Sequence, residues 1–350
     1  MSSISVKSEH EYEVVIGNPW LPELISALSK YSRVAIFFSE SQKEFIPQIS
    51  IAGEVHYFPL PDGEAAKSKS TLATMWDWMG AAGFTRSDVV VAIGGGTITD
   101  VAGFLSATWL RGLDWIAVPT TLAGMVDASI GGKTGINSDY GKNLIGAFHS
   151  PQKVIIDTQW LKTLPNRDLA AGLAEVIKTG FIADSSILDL MESFDLNRDA
   201  SNLKLLEQLI FKSVSVKAKV VSADFKESFD REILNYGHTL GHAIERHSNY
   251  SLRHGEAISI GLVFAAQISS LHCSLSEKIV DQHINLLSKL GLPTTYDSQA
   301  FSQLYSIMAL DKKSRGNSLR FVALSDIAKT HRIEGLSLDE LALAYEKICQ

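Results

Sequence analysis

Cysteine and long apolar runs are both scarce in this sequence. The 350 residues include 2 cysteines, Cys273 and Cys349, and neither has a C-x-x-C partner. Two isolated cysteines cannot build a disulfide framework, so we expect reduced thiols, as is usual in the cytoplasm. No run reaches the roughly 20 apolar residues that a membrane span needs. The polar start MSSISVKSEHEYEV lacks the apolar segment of a signal peptide, so a cytoplasmic protein with no membrane partner is expected.

A basic excess is absent as well. Lysine and arginine together number 32 against 39 aspartates and glutamates, and the formal net charge is -7. General binding to nucleic acid is therefore not expected, whereas an anionic small molecule could bind where basic side chains gather locally. The 45% hydrophobic and 20% charged residues are typical of a globular protein. A length of 350 residues suggests two domains.

Strands that are apolar throughout alternate with helices in the first half of the chain. Strand candidates lie at residues 13–16, 33–39, 54–58, 88–93, 115–118 and 153–157. Such strands favour a mainly parallel sheet that is covered on both faces. After residue 166 helical periodicity takes over. We therefore predict an α/β fold in which residues 1–165 form a Rossmann-like domain with a mainly parallel sheet and residues 166–350 form a mostly α-helical domain.

A triple glycine follows the strand at 88–93 and opens a helix, in the segment GGGTITDVAGFLSATWLRG. Glycine lets the backbone approach a pyrophosphate closely, and a helix N-terminus favours the anion. The segment is not the dinucleotide fingerprint G-x-G-x-x-G, and a tight turn explains it equally well. A glycine-rich loop of more than roughly 15 residues is expected from Asp127 onward. There Lys133 and Lys142 either bind anionic oxygens or are simply solvated.

Four of the ten histidines cluster in LNYGHTLGHAIERHSNYSLRHGE. His238 and His242 are four residues apart and share a helix face, which extends back to Asn235 and Arg231. His254 begins a second helical pattern. Imidazoles near a helix pair suggest a transition metal, above all zinc, although a solvated histidine face has the same spacing. The spacing does not decide which three residues would be ligands.

Glu175 and Lys178 lie three residues apart on a helix expected over residues 168–182, among alanine, leucine, valine and isoleucine. An exposed i, i+3 ion pair explains this arrangement. A buried carboxylate that is offered to a metal explains it as well. The residues alone leave both interpretations open.

Several ordered motifs together resemble one family. They are GGGTITDVAGFLSATWLRG, VPTTLAGMVDASIGGKTGIN, GKNLIGAF, TLPNRDLAAGLAEVIKTG, REILNYGHTLGHAIE and RHGEA. From about residue 61 to residue 263 the sequence is similar to 3-dehydroquinate synthase, a sugar phosphate cyclase, with a weaker match at DKKSRGNSLRFVAL. The resemblance implies conversion of DAHP (3-deoxy-D-arabino-heptulosonate 7-phosphate) to 3-dehydroquinate, the second step of the shikimate pathway. It also implies NAD+, Zn2+ or Co2+, and a homodimer.

The implied chemistry has no net redox change. Oxidation of a secondary hydroxyl by NAD+ acidifies the neighbouring C–H, phosphate leaves by β-elimination, and the hydride is then returned. Ring opening and an intramolecular aldol addition close the carbocycle. The metal would act as a Lewis acid, and lysine and arginine would neutralise carboxylate and phosphate.

The resemblance also assigns residues to each task. Its metal ligands fall on Glu175, His238 and His254. Its NAD+ contacts fall on Asp62, Gly63, Glu64, Lys67, Gly95, Gly96, Thr97, Ile98, Thr99, Asp100, Thr120, Thr121, Asp127, Lys133, Lys142, Trp160, Leu161, Lys162 and Thr163. Its catalytic and substrate-binding residues fall on Lys133, Asn143, Lys178, Lys217, Arg231, Asn235 and His242, on Arg111 for the neighbouring subunit's phosphate pocket, and on Lys312 or Lys313.

Two departures from the family pattern are present. Many members have GGGVIGD where this chain has GGGTITD, and DSSVGGK where it has DASIGGK. The hydroxyls added at Thr97 and Thr99 and the one lost at Ala128 are expected to be tolerated.

Three other functions compete with the implied one. They are a sibling cyclase acting on a non-carboxylated sugar phosphate, a metal-dependent polyol dehydrogenase with net oxidation, and a metal-binding relative without activity. Siblings tend to lose the residues that match Lys178 and Asn235, and both are present. Their presence favours the acid substrate.

Overall fold

The structure is a computed structural model that describes residues 2–197, 199–226, 230–315 and 319–350, without the side chains of residues 310–315. The phosphate contact expected at Lys312 or Lys313 lies outside these described side chains. The chain forms two compact units. The first holds Met1–Leu164 and Lys217–Glu227, and the second holds Pro165–Val216 and Ser228–Gln350. The sequence analysis expected residues 166–350 to form one domain. In the structure the stretch that begins at Lys217 belongs instead to the first unit.

The first unit is built from strands and helices in alternation. Its strands and α-helices are β1 (Ser2–Lys7), β2 (Glu11–Ile16), α1 (Trp20–Leu28), β3 (Arg33–Ser39), β4 (Glu54–Leu60), α2 (Lys69–Ala81), β5 (Val89–Gly94), α3 (Gly96–Thr108), β6 (Asp114–Pro119), β7 (Lys133–Ser138), β8 (Gly141–Phe148) and β9 (Lys153–Ile156). Short helical turns lie at Glu40–Phe45, Gly63–Lys67, Trp109–Arg111, Gly124–Ala128 and Thr158–Lys162. The predicted strands are confirmed, and β1, β7 and β8 are additions that the sequence analysis did not predict.

Within the described residues one seven-stranded sheet forms the core of the first unit, in the order β1-β2-β9-β6-β5-β3-β4. β1 runs antiparallel to β2, and the other pairs are parallel. At its centre Val91 of β5 lies opposite Ile36 on one side and Ile116 on the other. β5 is buried along its whole length, as expected for a strand with both faces covered. The predicted mainly parallel sheet is confirmed.

The loop expected from Asp127 onward is wrong, because this segment contains the hairpin β7–β8. Gly135 lies opposite Gly146 in the hairpin, and a Cβ on either would overlap a carbonyl oxygen of the other strand. The hairpin also packs on α3, where a Cβ at Gly103 would lie 2.5 Å from Cγ2 of Thr134. These glycines permit the close packing of the hairpin. Because glycine is rare in strand interiors, the sequence pattern predicted a loop instead.

The second unit is mostly helical, as predicted. Its elements are α4 (Asn166–Ile182), α5 (Ser185–Ser193), α6 (Ala200–Ala223, whose end from Lys217 belongs to the first unit), α7 (His238–His247), α8 (His254–Cys273), α9 (Glu277–Lys289), α10 (Phe301–Arg315), β10 (Arg320–Asp326), β11 (Lys329–Glu334) and α11 (Leu338–Glu346). A short helical turn at Asp230–Asn235 precedes α7. β10 and β11 form an antiparallel pair.

α8 is the central helix of the second unit. It is buried from Gly255 to Ser269. Among the described residues it is the one helix that by length and composition could cross a membrane, yet 78% of that apolar window is buried inside the protein. An apolar helix buried in this way is typical of a protein core.

Candidate active site

α4 places an acidic and a basic side chain in the interior of the second unit. Glu175 is 1% exposed and Lys178 is 3% exposed. Nζ of Lys178 lies 2.5 Å from Oε2 of Glu175. The alternative of an exposed ion pair is therefore wrong, and the pair is held where loss of either partner would leave an uncompensated buried charge.

The continuous helix face expected from Arg231 to His242 is also wrong. The helical turn that contains Arg231 and Asn235 ends at Asn235, and α7 begins at His238. Gly237 separates them with a φ of 79°, a left-handed conformation that glycine adopts readily. A Cβ at Gly237 would lie 2.8 Å from the backbone nitrogen of Leu262 on α8. The break therefore lets the start of α7 approach α8, and it places His238 at a helix N-terminus.

Glycines bring the three predicted ligand-bearing helices together. A Cβ at Gly255 of α8 would overlap the carbonyl oxygen of Ala171 on α4. A Cβ at Gly261 of α8 would overlap the carbonyl oxygen of Gly237. At Gly241 of α7 an added Cβ would lie 2.7 Å from Cδ1 of Ile258. These backbone approaches fix the positions from which α4, α7 and α8 present their side chains.

Gly255→Ala is expected to lower the free energy of unfolding by about 1 to 3 kcal/mol, the usual range for overpacking, and to weaken metal binding. The reason is that the added methyl forces α8 away from α4, and with it the adjacent His254 from Glu175. Urea denaturation and metal titration would measure the two effects. Gly80→Ala in α2 is the matched control, since its Cβ would meet only Trp109, at 3.5 Å. Equal behaviour of the two variants would contradict the packing argument.

Glu175, His238 and His254 could hold a metal ion, because their ligand atoms all lie within 4.8 Å of one another. Nε2 of His238 lies 3.5 Å and Nε2 of His254 lies 3.3 Å from Oε1 of Glu175. Ligand atoms around a tetrahedral zinc ion with bonds of about 2.1 Å are separated by about 3.4 Å. Oε1 of Glu175 is buried and accepts no hydrogen bond from the described residues. A cation would satisfy that oxygen, so the donor set fits zinc or cobalt.

The charged groups of this cluster shift one another's pKa values. Burial alone would raise the pKa of the Glu175 carboxyl, but Lys178 and the two imidazoles hold that pKa well below its ordinary value. The pKa of His238 lies well below its usual range, mainly because the ring is buried and secondly because the Lys178 ammonium is near. Burial would also lower the pKa of His254, yet the carboxylates of Glu175 and Glu245 raise it to about 10. The two carboxylates beside the His254 ring therefore favour positive charge at this position.

His242, Arg231 and Asn235 are the other predicted site residues on the segment that leads into and forms α7. The ring of His242, one helical turn after His238, lies 5.2 Å from the His238 ring and 6.0 Å from the His254 ring. Its side chain is exposed, unlike His238. Arg231 is buried and Asn235 is half-buried, just before α7 begins. His242 is thus a neighbour of the three predicted ligands.

In the first unit the triple glycine joins the end of β5 to the start of α3, as predicted: Gly94 is the last residue of β5 and Gly96 is the first of α3. A Cβ at Gly95 would lie 3.0 Å from Cγ2 of Thr121, and one at Gly96 would lie 2.9 Å from Cβ of Ala128. No side chain caps the N-terminus of α3 among the described residues. Backbone N–H groups there can face an anion. Thr97, Ile98 and Thr99 lie in this first turn of α3.

Lys67 joins several predicted residues of the first unit. Its side chain is buried, and Nζ donates to Oδ2 of Asp100 at 2.5 Å and to Oδ1 of Asn143. Burial raises the pKa of the Asp100 carboxyl even though Lys67 acts in the opposite direction. Next to this cluster Nδ2 of Asn137 donates to Oε1 of Glu64 at 2.6 Å. Residues from the Gly63–Lys67 turn, α3 and β8 therefore meet at one buried lysine.

Two further contacts involve predicted residues. Nζ of Lys217 contacts the backbone oxygen of Asp127 at 2.5 Å and also its carboxylate. Nε2 of Gln42 donates to Oγ1 of Thr120 at 2.8 Å. Gln42, whose Oε1 is buried without a partner among the described atoms, was missed from the sequence because nothing in its spacing marks it.

The remaining predicted residues are distributed over the first unit. Asp62 accepts a hydrogen bond from Oγ of Ser41 at 2.6 Å. Trp160 and Leu161 are buried, and the Trp160 ring lies 5.5 Å from that of Trp20. The other predicted residues are exposed or half-buried; these are Gly63, Arg111, Thr121, Lys133, Lys142, Lys162 and Thr163. Their predicted roles stay predictions.

Two family models match this chain. The one described as 3-dehydroquinate synthase N-terminal matches residues 57–171, and the one described as 3-dehydroquinate synthase C-terminal matches residues 172–314. The chain belongs to the 3-dehydroquinate synthase family. The resemblance found in the sequence motifs is thereby confirmed.

Individual relatives agree with the family models. The 3-dehydroquinate synthase of Rhodococcus opacus (strain B4) is 47% identical over 352 residues, which cover 99% of this chain and 95% of that protein. That of Thermobifida fusca (strain YX) is 49% identical over 343 residues, covering 96% and 93%. The predicted enzyme class is confirmed by these relatives, whose matches cover nearly the whole of this chain.

A solved 2-deoxy-scyllo-inosose synthase has the same fold. Its crystal structure, complexed with carbaglucose-6-phosphate, NAD+ and Co2+, superposes with a TM-score of 0.84 at 26% identity and covers 99% of each chain. The predicted combination of a Rossmann-like domain and a helical domain is therefore confirmed, and it is the fold of a sugar phosphate cyclase.

Proposed function

We propose that this protein catalyses the 3-dehydroquinate synthase reaction, converting the sugar acid phosphate DAHP to 3-dehydroquinate and inorganic phosphate. One observation carries the proposal: Glu175, His238 and His254 present mutually close ligand atoms in the interior of a unit that matches the family's C-terminal model. A buried carboxylate oxygen that accepts no hydrogen bond from the described residues is costly unless a cation binds it. This cost supports a functional metal site.

NAD+ and a divalent metal are the proposed cofactors. The related structure with bound NAD+ and Co2+ supports both. We assign the metal to Glu175, His238 and His254. We assign NAD+ to the first unit, with its pyrophosphate at the start of α3 and other contacts from the residues that the resemblance indicates. The contacts of Lys67 with Asp100 and Asn143 support a preformed part of that NAD+ site.

Once bound, NAD+ would accept and return a hydride, and the metal ion would polarise a substrate oxygen. Lys178 holds Oε2 of Glu175 at 2.5 Å, so the other oxygen, Oε1, is directed to the two imidazoles. Arg231 and Lys178 would neutralise the carboxylate and phosphate of the substrate, and a guanidinium can do so with two parallel hydrogen bonds. His242 is exposed beside the ligands, where it can hold or pass on a proton.

A homodimer in the cytoplasm is part of the proposal. Arg111 lies in an exposed turn in which Leu110 and Arg111 both have positive φ, 48° and 68°. Such a conformation is costly for residues other than glycine, and strain of this kind concentrates at functional sites. Nε of Arg86 donates to the carbonyl oxygen of Leu110 at 2.8 Å and holds the turn. This supports a role for Arg111 outside its own unit, in the phosphate pocket of a second subunit.

Release of inorganic phosphate from DAHP tests the function directly. We expect release that requires NAD+ and a metal, stops with a chelator, and returns when Zn2+ or Co2+ is restored. NADH should not accumulate, because the hydride is returned in each cycle. A polyol with NAD+ is the parallel reaction: steady NADH formation there, without phosphate release from DAHP, would identify a dehydrogenase instead. A non-carboxylated sugar phosphate that reacts faster than DAHP would identify a sibling cyclase.

A further inference from the structure

The imidazole of His254 is held between two carboxylates on different helices. Its Nε2 lies 3.3 Å from Oε1 of Glu175 on α4, and its Nδ1 lies 3.2 Å from Oε2 of Glu245 on α7. Glu245 is 6% exposed. Glu245 is not one of the predicted metal ligands, yet its buried carboxylate contacts one of them, His254.

We infer that Glu245 is a positioning residue for the metal site, which accepts the Nδ1–H of His254 and thereby leaves Nε2 as the nitrogen that binds the metal. An imidazole can offer only one nitrogen lone pair to a metal while the other nitrogen carries its proton. A carboxylate on the far nitrogen fixes the tautomer and the ring orientation and makes the imidazole a stronger ligand. The inference rests on the proposed metal site.

His238 is oriented in the same manner by a different group. Its Nδ1 lies 3.1 Å from the backbone oxygen of Tyr236. Both imidazoles therefore direct Nε2 towards Glu175 and Nδ1 towards an acceptor. A backbone carbonyl cannot be removed by substitution, whereas the acceptor of His254 is a side chain. Of the two groups that face the Nδ1 atoms, the Tyr236 carbonyl and the Glu245 carboxylate, only Glu245 can therefore be changed by mutation.

α7 supplies both the ligand and the positioning residue. His238 and Glu245 are seven residues apart, which is close to two helical turns and places them on one face. Backbone bonds at the end of α7, from the nitrogen of Tyr250 and from Oγ of Ser248, go to the carbonyl oxygen of Glu245 and not to its carboxylate. A change confined to the carboxylate therefore leaves these bonds at the end of α7 in place.

A second arrangement of the same residues has to be distinguished. His242, Glu245 and His254 also have ligand atoms within 4.8 Å of one another. This group shares His254 with the first, and its His242 side chain is exposed. Because one nitrogen of His254 already faces Glu175, we assign the other nitrogen to a hydrogen bond with Glu245 and not to a second ion.

The test compares Glu245→Gln, Glu245→Ala and wild-type protein, all full-length and without substrate. Co2+ affinity would be measured by competition with a chromophoric chelator, and coordination geometry by the visible absorption of the bound Co2+. We expect affinity to fall about 10-fold for Glu245→Gln, whose amide oxygen still accepts the Nδ1–H, and about 100-fold for Glu245→Ala. The absorption spectrum should change in both variants.

Glu256→Gln is the matched control. Glu256 lies two residues after His254, is similarly buried at 9% exposed, and pairs with Arg167 through bonds of 2.5 and 2.7 Å instead of with an imidazole. This variant should lower the urea midpoint and leave Co2+ affinity and spectrum nearly unchanged. Equal losses of affinity in Glu256→Gln and Glu245→Gln would show that Glu245 acts only through helix packing and would overturn the inference.

Two other results would also overturn it. One is unchanged affinity in Glu245→Ala. The other is a Co2+ content of two ions per chain that falls to one in Glu245→Gln, which would make Glu245 a ligand of its own ion. The proposed function is tested by a different result. Wild-type protein that takes up Co2+ but releases no phosphate from DAHP would refute that function, and the Co2+ affinities of the variants would still test the role of Glu245.

Discussion

His238→Ala is expected to abolish tight metal binding and turnover together. The substitution removes one of the three predicted ligands and leaves Oε1 of Glu175 with His254 alone, 3.3 Å away. Changes to groups that only orient a ligand lower metal affinity or activity 10- to 100-fold, so the loss of a ligand should exceed about 100-fold. Metal content after gel filtration and phosphate release from DAHP would measure the two losses. NAD+ affinity should be retained, because His238 belongs to the second unit.

His247→Ala is the control for this variant. His247 is the last residue of α7, and its ring nitrogens lie 2.9 Å from the Tyr296 hydroxyl and from Oε1 of Gln303. Its loss removes two hydrogen bonds on the same helix without touching the predicted ligands. We expect lower stability with metal content preserved. If His238→Ala kept both metal and turnover, the assignment of the metal site would be wrong.

Arg111→Ala is expected to lower kcat/KM for DAHP by about 10- to 100-fold, because a hydrogen bond to a charged group contributes about 1.5 to 3 kcal/mol. The exposed turn holds Arg111 in a left-handed conformation, with φ at 68°. Alanine can adopt the same backbone at similar cost, so the variant should fold and bind metal normally. Steady-state kinetics with varied DAHP, together with metal content, would separate loss of phosphate recognition from loss of the metal site.

Mixing this variant with His238→Ala tests whether Arg111 acts on a second subunit. In a hybrid dimer the site of the Arg111→Ala chain keeps its histidine and receives the intact arginine of the other chain. An equal mixture should recover about a quarter of wild-type activity, since about half of random dimers are hybrid and each has one complete site. Arg111→Ala taken alone through the same procedure is the control. A mixture no more active than that control would argue against a shared pocket.

The sequence predicted the fold well where the pattern is local. Apolar strands such as β5 can only sit inside a covered parallel sheet, and their predicted positions are confirmed. Helical periodicity predicted α4 and α8, because this pattern too is set within one stretch of sequence. The hairpin β7–β8 was missed, because Gly135 and Gly146 carry no strand signal until they are seen facing each other.

The candidate site was predictable only in part from residue spacing. The four-residue interval identified His238 and His242 as neighbours, and the structure keeps their rings 5.2 Å apart. Spacing could not select Glu175, which is distant along the chain, and family resemblance was needed to pair it with His238 and His254. Glu245 was missed entirely, although its seven-residue interval from His238 was a usable signal.

What the sequence determined by itself is the order of the apolar strands and of the main helices and the residue types that each presents, since hydrophobic periodicity acts within one element. The tertiary structure alone decided that α4, α7 and α8 approach until Glu175 faces two imidazoles, and that Lys67 joins Asp100 to Asn143. Those contacts depend on backbones meeting at glycines such as Gly255, where any side chain would overlap a neighbouring carbonyl oxygen. A sequence pattern records the glycine but not the chain that packs against it.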